Sequence, residues 1–187
     1  YHDGDYDYYD RQLTHQNLGY EKFLGYGNGL EEIMEMWSHD VNMFDKTMNT
    51  YLDKTPFSIY YMTISGHASY EADAELVSKY YDYVYSVVGD KYKETTKYYL
   101  CYQMELEKAM QVVIEKLEAA GIADDTVIVM TGDHYPYGLD GSATWGNDMD
   151  YIADLYQGPD DAPWDRDRNA LILWSECLEH GDKDMAC

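Results

Sequence analysis

Basic side chains are scarce in this sequence of 187 residues: 13 lysines and arginines stand against 36 aspartates and glutamates, which gives a formal net charge of −23. A surface this negative repels phosphate backbones and anionic lipid surfaces. The charge therefore argues against nucleic-acid binding and against membrane docking through basic patches. A protein of this charge that handles phosphate needs a metal ion or a few well-placed cations.

Cysteine and long apolar runs are scarce as well. The three cysteines, Cys101, Cys177 and Cys187, have no C-x-x-C spacing and indicate neither a disulfide framework nor a zinc module. The longest apolar stretches, residues 126–131 and 170–174, are far shorter than the roughly 20 residues of a membrane-spanning helix. The sequence also contains no P-loop, no dinucleotide fingerprint, no serine nucleophile elbow and no H-E-x-x-H motif.

Apolar side chains are nevertheless abundant. Hydrophobic residues make up 45% of the chain and aromatic residues 16%, which is enough to bury a core despite the charge. The length suits one domain, so we treat residues 1–187 as a single unit. Because the chain has no initiator methionine and stops abruptly after residues 179–187, we expect it to be a piece of a longer protein.

Hydrophobic periodicity predicts two long helices. Apolar residues recur every three or four positions over residues 31–52, with a break near Ser38, and again over residues 95–120. One face of the second helix carries Leu106, Met110, Val113 and Leu117. Gly121 follows where a left-handed C-terminal cap is expected, and Ile122 can close that cap hydrophobically.

Three apolar runs predict strands: residues 57–64, 126–131 and 169–174. The second run is continuous, which is typical of a strand covered on both faces. We expect residues 1–30 and 132–167 to be irregular and residues 72–92 to be partly helical. Strands that alternate with helices predict an α/β fold with a mainly parallel central sheet flanked by helices.

The tetrapeptide Gly132-Asp133-His134-Tyr135 comes directly after the second strand. Ligands in open α/β sheets bind beyond the carboxyl ends of the strands, which is where this tetrapeptide falls. An aspartate oxygen and a histidine nitrogen together suit Zn²⁺ or Mn²⁺. The alternative is that Asp133 caps the following turn and His134 is an ordinary loop residue.

His67 ends the first predicted strand, and we expect it at the same sheet edge as His134. Two histidines in one crevice can bind a phosphate or serve as acid and base. The alternative for His67 is a loop histidine bonded to nearby backbone. Arg11 is one of the few cations, and its planar fork suits a phosphate; the alternative is a surface ion pair with a neighbouring aspartate.

Several segments of the sequence, taken together, resemble one family. The matching blocks are residues 2–9 with Arg11, residues 17–23, residues 56–67, and residues 124–135 with their strand and Gly-Asp-His-Tyr. In this order they resemble the extracellular catalytic domains of lipoteichoic acid synthase-like phosphoglycerol transferases. That family belongs to the sulfatase and alkaline phosphatase superfamily, so the resemblance implies an alkaline phosphatase-like α/β fold, of which this chain is the C-terminal portion.

The resemblance also implies roles for individual residues. Asp133 and His134 are expected to bind the catalytic metal. The resemblance implies Mn²⁺, with Zn²⁺, Mg²⁺ or Ca²⁺ as alternatives. His67 is expected to contact the phosphate or assist the leaving group. Three further residues are expected to bind the phosphoglycerol head group of the substrate, namely His2, Tyr9 and Arg11, with His2, Arg11 and His67 as its cationic contacts.

The same resemblance implies a phospho-threonine intermediate whose threonine, like the remaining carboxylate ligand, lies upstream of Tyr1. The expected substrate is phosphatidylglycerol or a glycerophosphate polymer at the extracellular face of the bacterial cell membrane, reached through membrane segments absent from this chain. We expect no nucleic-acid partner, and no activity from this piece alone. Two other readings stay open: a sulfatase or phosphomonoesterase of the same superfamily, and a non-catalytic extracellular domain that binds glycans through its tyrosines.

Overall fold

The structure is a computed structural model, and it describes residues 1–5, 7–134, 139, 151–157 and 169–177. A single 3₁₀ turn at Tyr8–Asp10 leads into the first helix. The helices are α1 (Arg11–Asn17), α2 (His39–Met48), α3 (Glu75–Val88), α4 (Glu94–Ala120) and α5 (Tyr151–Tyr156), and the strands are β1 (Ile128–Thr131) and β2 (Leu171–Trp174).

The longest helix, α4, lies between the other main helices and confirms the prediction for residues 95–120. It ends as expected: Gly121 adopts the left-handed conformation (φ 68°), and the N–H of Ile122 donates to the carbonyl of Leu117 at 3.1 Å. A side chain at Gly121 is disfavoured in that conformation, which explains the glycine.

The main core forms where α2 and α4 pack together. Its fully buried members include Met43, Met48 and Leu117. The helix predicted over residues 31–52 is shorter than expected, because the predicted break at Ser38 is real and α2 begins only at His39. Residues 31–38 form turns, since Trp37 has a left-handed φ of 59°, which a continuous helix does not allow.

A second, smaller core lies between α3 and α4, so the partly helical prediction for residues 72–92 is confirmed. The stripe that α4 buries differs from the predicted face at two positions. Leu106 and Met110 are only partly buried, and the fully buried positions in that part of α4 are Glu105 and Ala109. A charged residue was not expected in a core stripe, and Glu105 is there because α3 supplies partners for its carboxylate.

The two strands form one small sheet, and their pairing corrects two predictions. β1 and β2 are antiparallel, with Val129 opposite Leu173, so the parallel arrangement expected for β1 is wrong for this pair. The expected burial of β1 on both faces is also wrong, because Val129 is 60% exposed and Leu173 is 53% exposed. An apolar run identifies a strand but does not specify the direction of its partner or what covers it.

Residues 57–64 do not form the predicted strand. A strand needs a neighbour to share its backbone hydrogen bonds, and the described chain provides this only beside Tyr1 and His2. There the N–H of Met62 donates to the carbonyl of Tyr1 at 2.9 Å, and His2 and Met62 form an isolated parallel bridge. The segment is held mainly by side chains, with Tyr61 packed against Phe44 at 4.2 Å between ring centroids.

The N-terminal part of the chain is more ordered than predicted, since α1 lies within the stretch expected to be irregular. The helix α5 likewise lies within the predicted loop 132–167, most of which is outside the described residues. In the part of the chain that the structure describes, no helix combines the length and the apolar character that crossing a bilayer requires.

Candidate active site

Asp133 and His134 follow β1 directly, as predicted. Oδ1 of Asp133 lies 3.5 Å from Nε2 of His134, and the two side chains are 57% and 48% exposed. Two ligand atoms that each lie about 2.1 Å from a tetrahedrally coordinated ion are roughly 3.4 Å from each other. The distance between Oδ1 of Asp133 and Nε2 of His134 therefore fits two neighbouring ligands of one cation. No group of three potential metal ligands occurs among the described residues. Tyr135 lies outside the described residues.

Asn169 holds the Asp133–His134 turn against the start of β2. The N–H of Gly132 donates to Oδ1 of Asn169 at 3.3 Å, and Nδ2 of Asn169 donates to the carbonyl of His134 at 3.0 Å. A Cβ at Gly132 would lie 2.2 Å from Nδ2 of Asn169, so a larger residue there would displace the Asn169 side chain from these hydrogen bonds. Sequence reasoning missed Asn169, because a contact across 35 residues leaves no local signal.

The imidazole of His67 is exposed, and its tautomer follows from one hydrogen bond. Nδ1 lies 2.5 Å from the carbonyl oxygen of Ala68. A carbonyl can only accept, so Nδ1 carries the proton and Nε2 of the neutral ring carries the lone pair. Nε2 can therefore accept a proton, or donate one to an oxyanion when the ring is protonated.

His2 is buried, with 3% exposure, and its imidazole lies against Gly4, where an added Cβ would approach the ring to 2.7 Å. Burial, followed by the nearby charge of Arg11, lowers the pKa of His2. A lowered pKa favours the neutral form of the ring, whereas a cationic contact was expected. A neutral His2 can offer a phosphate a hydrogen bond but not a charge.

Arg11 begins α1 and is close enough to His2 for its charge to lower the pKa of that ring. Its Nε is buried and has no hydrogen-bond partner among the described residues. Within that part of the chain Arg11 forms no ion pair, so the surface ion-pair alternative has no support there. Tyr9, two residues earlier, is 77% exposed and has a left-handed φ of 54°. The structure thus brings His2 and Arg11 together and leaves Tyr9 open to solvent.

Asp40 is a fully buried carboxylate that sequence reasoning did not single out. It accepts backbone N–H groups from Ile64 and Ser65 at 3.1 and 3.0 Å, three and two residues before His67. Burial raises the pKa of Asp40 to about 6, and these hydrogen bonds offset only part of that rise.

The raised pKa of Asp40 predicts a pH-dependent stability. A carboxyl that binds its proton more tightly when folded stabilises the protein below about pH 4, and this stabilisation is lost as the pH rises through about 6. A shift of about two units corresponds to about 3 kcal/mol of unfolding free energy between pH 4 and pH 7. In Asp40→Asn this contribution is absent, and urea denaturation at several pH values measures the difference.

Burial also raises the pKa of Asp3, so the wild-type profile contains both carboxyls, and only the comparison with Asp40→Asn isolates one. Asp53→Asn, at an exposed position in the turn after α2, serves as the matched control and should follow the wild type. Parallel profiles for wild type and Asp40→Asn would contradict the prediction.

The candidate residues form separate local groups in the structure. His2 and Arg11 make one group, and the bridge between His2 and Met62 joins it to the segment that leads to His67. Asp133 and His134 make the other group. That the two groups face one crevice stays a prediction.

Comparisons with known proteins give one family model and two relatives. The family model described as Sulfatase matches residues 1–181. Lipoteichoic acid synthase 1 of Bacillus subtilis is 26% identical over 136 residues, which is 70% of this chain and 20% of that protein. Lipoteichoic acid synthase of Staphylococcus saprophyticus is 25% identical over 138 residues, which is 71% of this chain and 20% of that protein. The chain therefore spans about a fifth of these relatives. No solved structure matches it.

Proposed function

We propose a function from one premise: the chain belongs to the sulfatase family, whose model matches residues 1–181. Its resemblance to lipoteichoic acid synthases is confirmed by two relatives of that name. We infer that the intact protein, of which this chain supplies one part, is a metal-dependent phosphoglycerol transferase or phosphodiesterase. Its fold is α/β, and a mainly parallel sheet is proposed for the intact domain, although the one sheet among the described residues pairs β1 and β2 antiparallel.

The observation that carries this proposal is the geometry of Asp133 and His134, whose donor atoms lie 3.5 Å apart on an exposed turn at the end of β1. These two residues would hold the metal, and Mn²⁺ is the ion proposed. When bound, such an ion polarises a phosphoryl oxygen and lowers the pKa of a hydroxyl nucleophile. The nucleophile, a threonine in this proposal, and the remaining ligands belong to parts of the protein outside this chain.

The substrate phosphate would be held by Arg11 and His2, with His67 as a further contact. Arg11 offers a planar pair of N–H donors that suits a phosphate, and His2 offers a neutral imidazole beside it. His67 offers Nε2, because Nδ1 is engaged with the carbonyl of Ala68. In this proposal Arg11 and the metal would supply positive charge, and His67 would transfer the proton.

The proposed substrate is a glycerophosphodiester of the cell envelope, either phosphatidylglycerol or a glycerophosphate polymer. A chain of charge −23 would not bind such an anion through its general surface, so binding depends on the local groups just described. The proposed place of action is the extracellular face of the bacterial cell membrane. Nucleic acid is not a proposed partner.

Metal removal tests the proposed reaction. The intact protein, treated with EDTA and dialysed, should lose glycerophosphodiester turnover, and Mn²⁺ should restore it, because metal chemistry supplies the charge stabilisation at phosphorus. Release of labelled glycerophosphate measures the rate. The 187-residue chain alone should show no turnover even with Mn²⁺, since two ligands do not close a coordination shell.

Different results would assign the protein differently. Turnover of a sulfate ester or a phosphomonoester in preference to the diester would favour a sulfatase or phosphomonoesterase of the same family. Full diester turnover after complete metal removal would contradict the proposal. Binding of glycans without metal binding or turnover would favour a non-catalytic domain.

A further inference from the structure

The turn that carries His67 is held by a buried carboxylate from α2. Asp40 is fully buried, and its two oxygens accept the N–H groups of Ile64 and Ser65 at 3.1 and 3.0 Å. In return, the N–H of Asp40 donates to Oγ of Ser65 at 2.9 Å. Three hydrogen bonds thus join α2 to the two residues that precede Gly66 and His67.

A second buried carboxylate stabilises the N-terminal end of α2. Glu105 of α4 is fully buried, and its Oε1 accepts the N–H of Val41, the residue after Asp40, at 3.1 Å. Its Oε2 accepts from Nζ of Lys79 at 2.9 Å and from the hydroxyl of Tyr80 at 2.5 Å. Because Lys79 and Tyr80 lie on α3, the support of Asp40 extends through three helices.

The chain then turns tightly from Ser65 into His67. The N–H of His67 donates to the carbonyl of Ile64 at 2.9 Å. The carbonyl of Gly66 accepts from the hydroxyl of Tyr70 at 3.2 Å and from Nε2 of Gln103 at 3.4 Å. The backbone around His67 is therefore tied to α2, to α4 and to its own turn, while the ring itself stays exposed.

The carboxylate at position 40 forms hydrogen bonds that a neutral amide could not form. Burying a carboxylate is costly, and a neutral side chain often serves stability as well or better. A neutral amide has only one acceptor oxygen, however, and its NH₂ group would meet the second N–H donor. A carboxylate accepts two adjacent N–H groups at once, which fixes the orientation of the Ile64–Ser65 peptide as well as its position.

We propose that Asp40 is a positioning residue for His67: through the backbone of Ile64 and Ser65 it sets where the His67 ring stands relative to the substrate phosphate. This inference rests on the proposed function, because it takes His67 to act on that phosphate. The described hydrogen bonds of the Asp40 carboxylate are with the backbone N–H groups of Ile64 and Ser65 and with the Ser65 side chain, so its effect on the reaction passes through His67.

Kinetics of the intact protein test the effect on turnover. Asp40→Asn should lower kcat by about 10- to 100-fold and change KM by less than about threefold, because a ring displaced by a fraction of an ångström still permits binding. In a His67→Ala background the same substitution should change kcat by less than about twofold. Equal losses in both backgrounds, or an unchanged kcat in the single variant, would overturn the proposal.

Chemical modification gives a second measurement that needs no turnover. Diethyl pyrocarbonate acylates neutral imidazole, and peptide mass spectrometry of the intact protein gives a rate for each histidine. In Asp40→Asn the loosened turn should raise the rate at His67 by more than about threefold. His15, whose ring packs against Phe23 at 5.2 Å, is the internal reference, and Asp53→Asn is the control variant. Unchanged His67 rates in folded Asp40→Asn would overturn the proposal.

The two measurements separate failure of this inference from failure of the proposed function. If the wild-type intact protein turns over no glycerophosphodiester, the proposed function fails, and the modification rates still show whether Asp40 orients His67. If Asp40→Asn does not fold, Ser65→Ala replaces it, since it removes the hydroxyl that contacts both the N–H and the carboxylate of Asp40 but keeps the two backbone N–H donors. Ser65→Ala should change both readouts in the same direction by smaller factors, and no change in either would refute the inference.

Discussion

His134→Ala in the intact protein is expected to abolish Mn²⁺-dependent turnover of a glycerophosphodiester. Loss of a residue that only hydrogen-bonds to a metal ligand already lowers metal affinity or activity by about 10- to 100-fold. Loss of the ligand itself should lower them at least as much. Nε2 of His134 lies 3.5 Å from Oδ1 of Asp133, so the substitution leaves only one donor on this turn. Isothermal titration with Mn²⁺ and a turnover assay measure the two effects.

The control for this variant is Asp53→Asn, which alters an exposed carboxyl in the turn after α2. Asp133→Asn should reproduce the loss seen in His134→Ala, because both residues are proposed to bind the same ion. Stoichiometric Mn²⁺ binding that survives His134→Ala would contradict the proposed metal site, even if turnover fell.

The second large effect is expected at His67. His67→Ala should lower kcat by about 10²- to 10⁴-fold, the range for loss of a positioned acid or base, because it removes the Nε2 group. Metal binding should stay intact in this variant, since the proposed ligands lie in the other local group. Rapid-mixing kinetics with a labelled glycerophosphodiester measure kcat and KM separately.

A matched control for this variant is Tyr83→Ala, since Tyr83 is 57% exposed on the outer side of α3. It should leave kcat unchanged and thereby show that loss of an exposed ring does not by itself impair turnover. A His67→Ala variant with wild-type kcat would place His67 outside the reaction. Loss of Mn²⁺ binding in His67→Ala would instead indicate a role in the metal site.

Local patterns in the sequence were enough to predict several elements. The position and end of α4 followed from its periodicity and from Gly121, because a helix cap is an interaction between neighbours in the chain. The positions of β1 and β2 followed from their apolar runs. The break before α2 was also visible, at Ser38. These features depend on residues a few positions apart, and such contacts leave a readable signal.

Other features could not be predicted because they depend on distant partners. The antiparallel direction of β1 and β2 and the exposure of Val129 depend on what the rest of the chain places beside the strands. Residues 57–64 have the composition of a strand, yet a ladder also requires a partner with free backbone groups. The lowered pKa of His2 depends on burial, which composition does not reveal.

By itself, the sequence determined the family and the candidate residues for its chemistry. The Gly-Asp-His block, His67 and the segment from His2 to Arg11 are recognisable as motifs, and motif and family are both sequence properties. Only the tertiary structure decided how these residues are held, through Asn169 behind His134 and through Asp40 behind His67. The physical reason is that a side chain's identity is local, whereas its orientation is set by hydrogen bonds to residues 24 or more positions away.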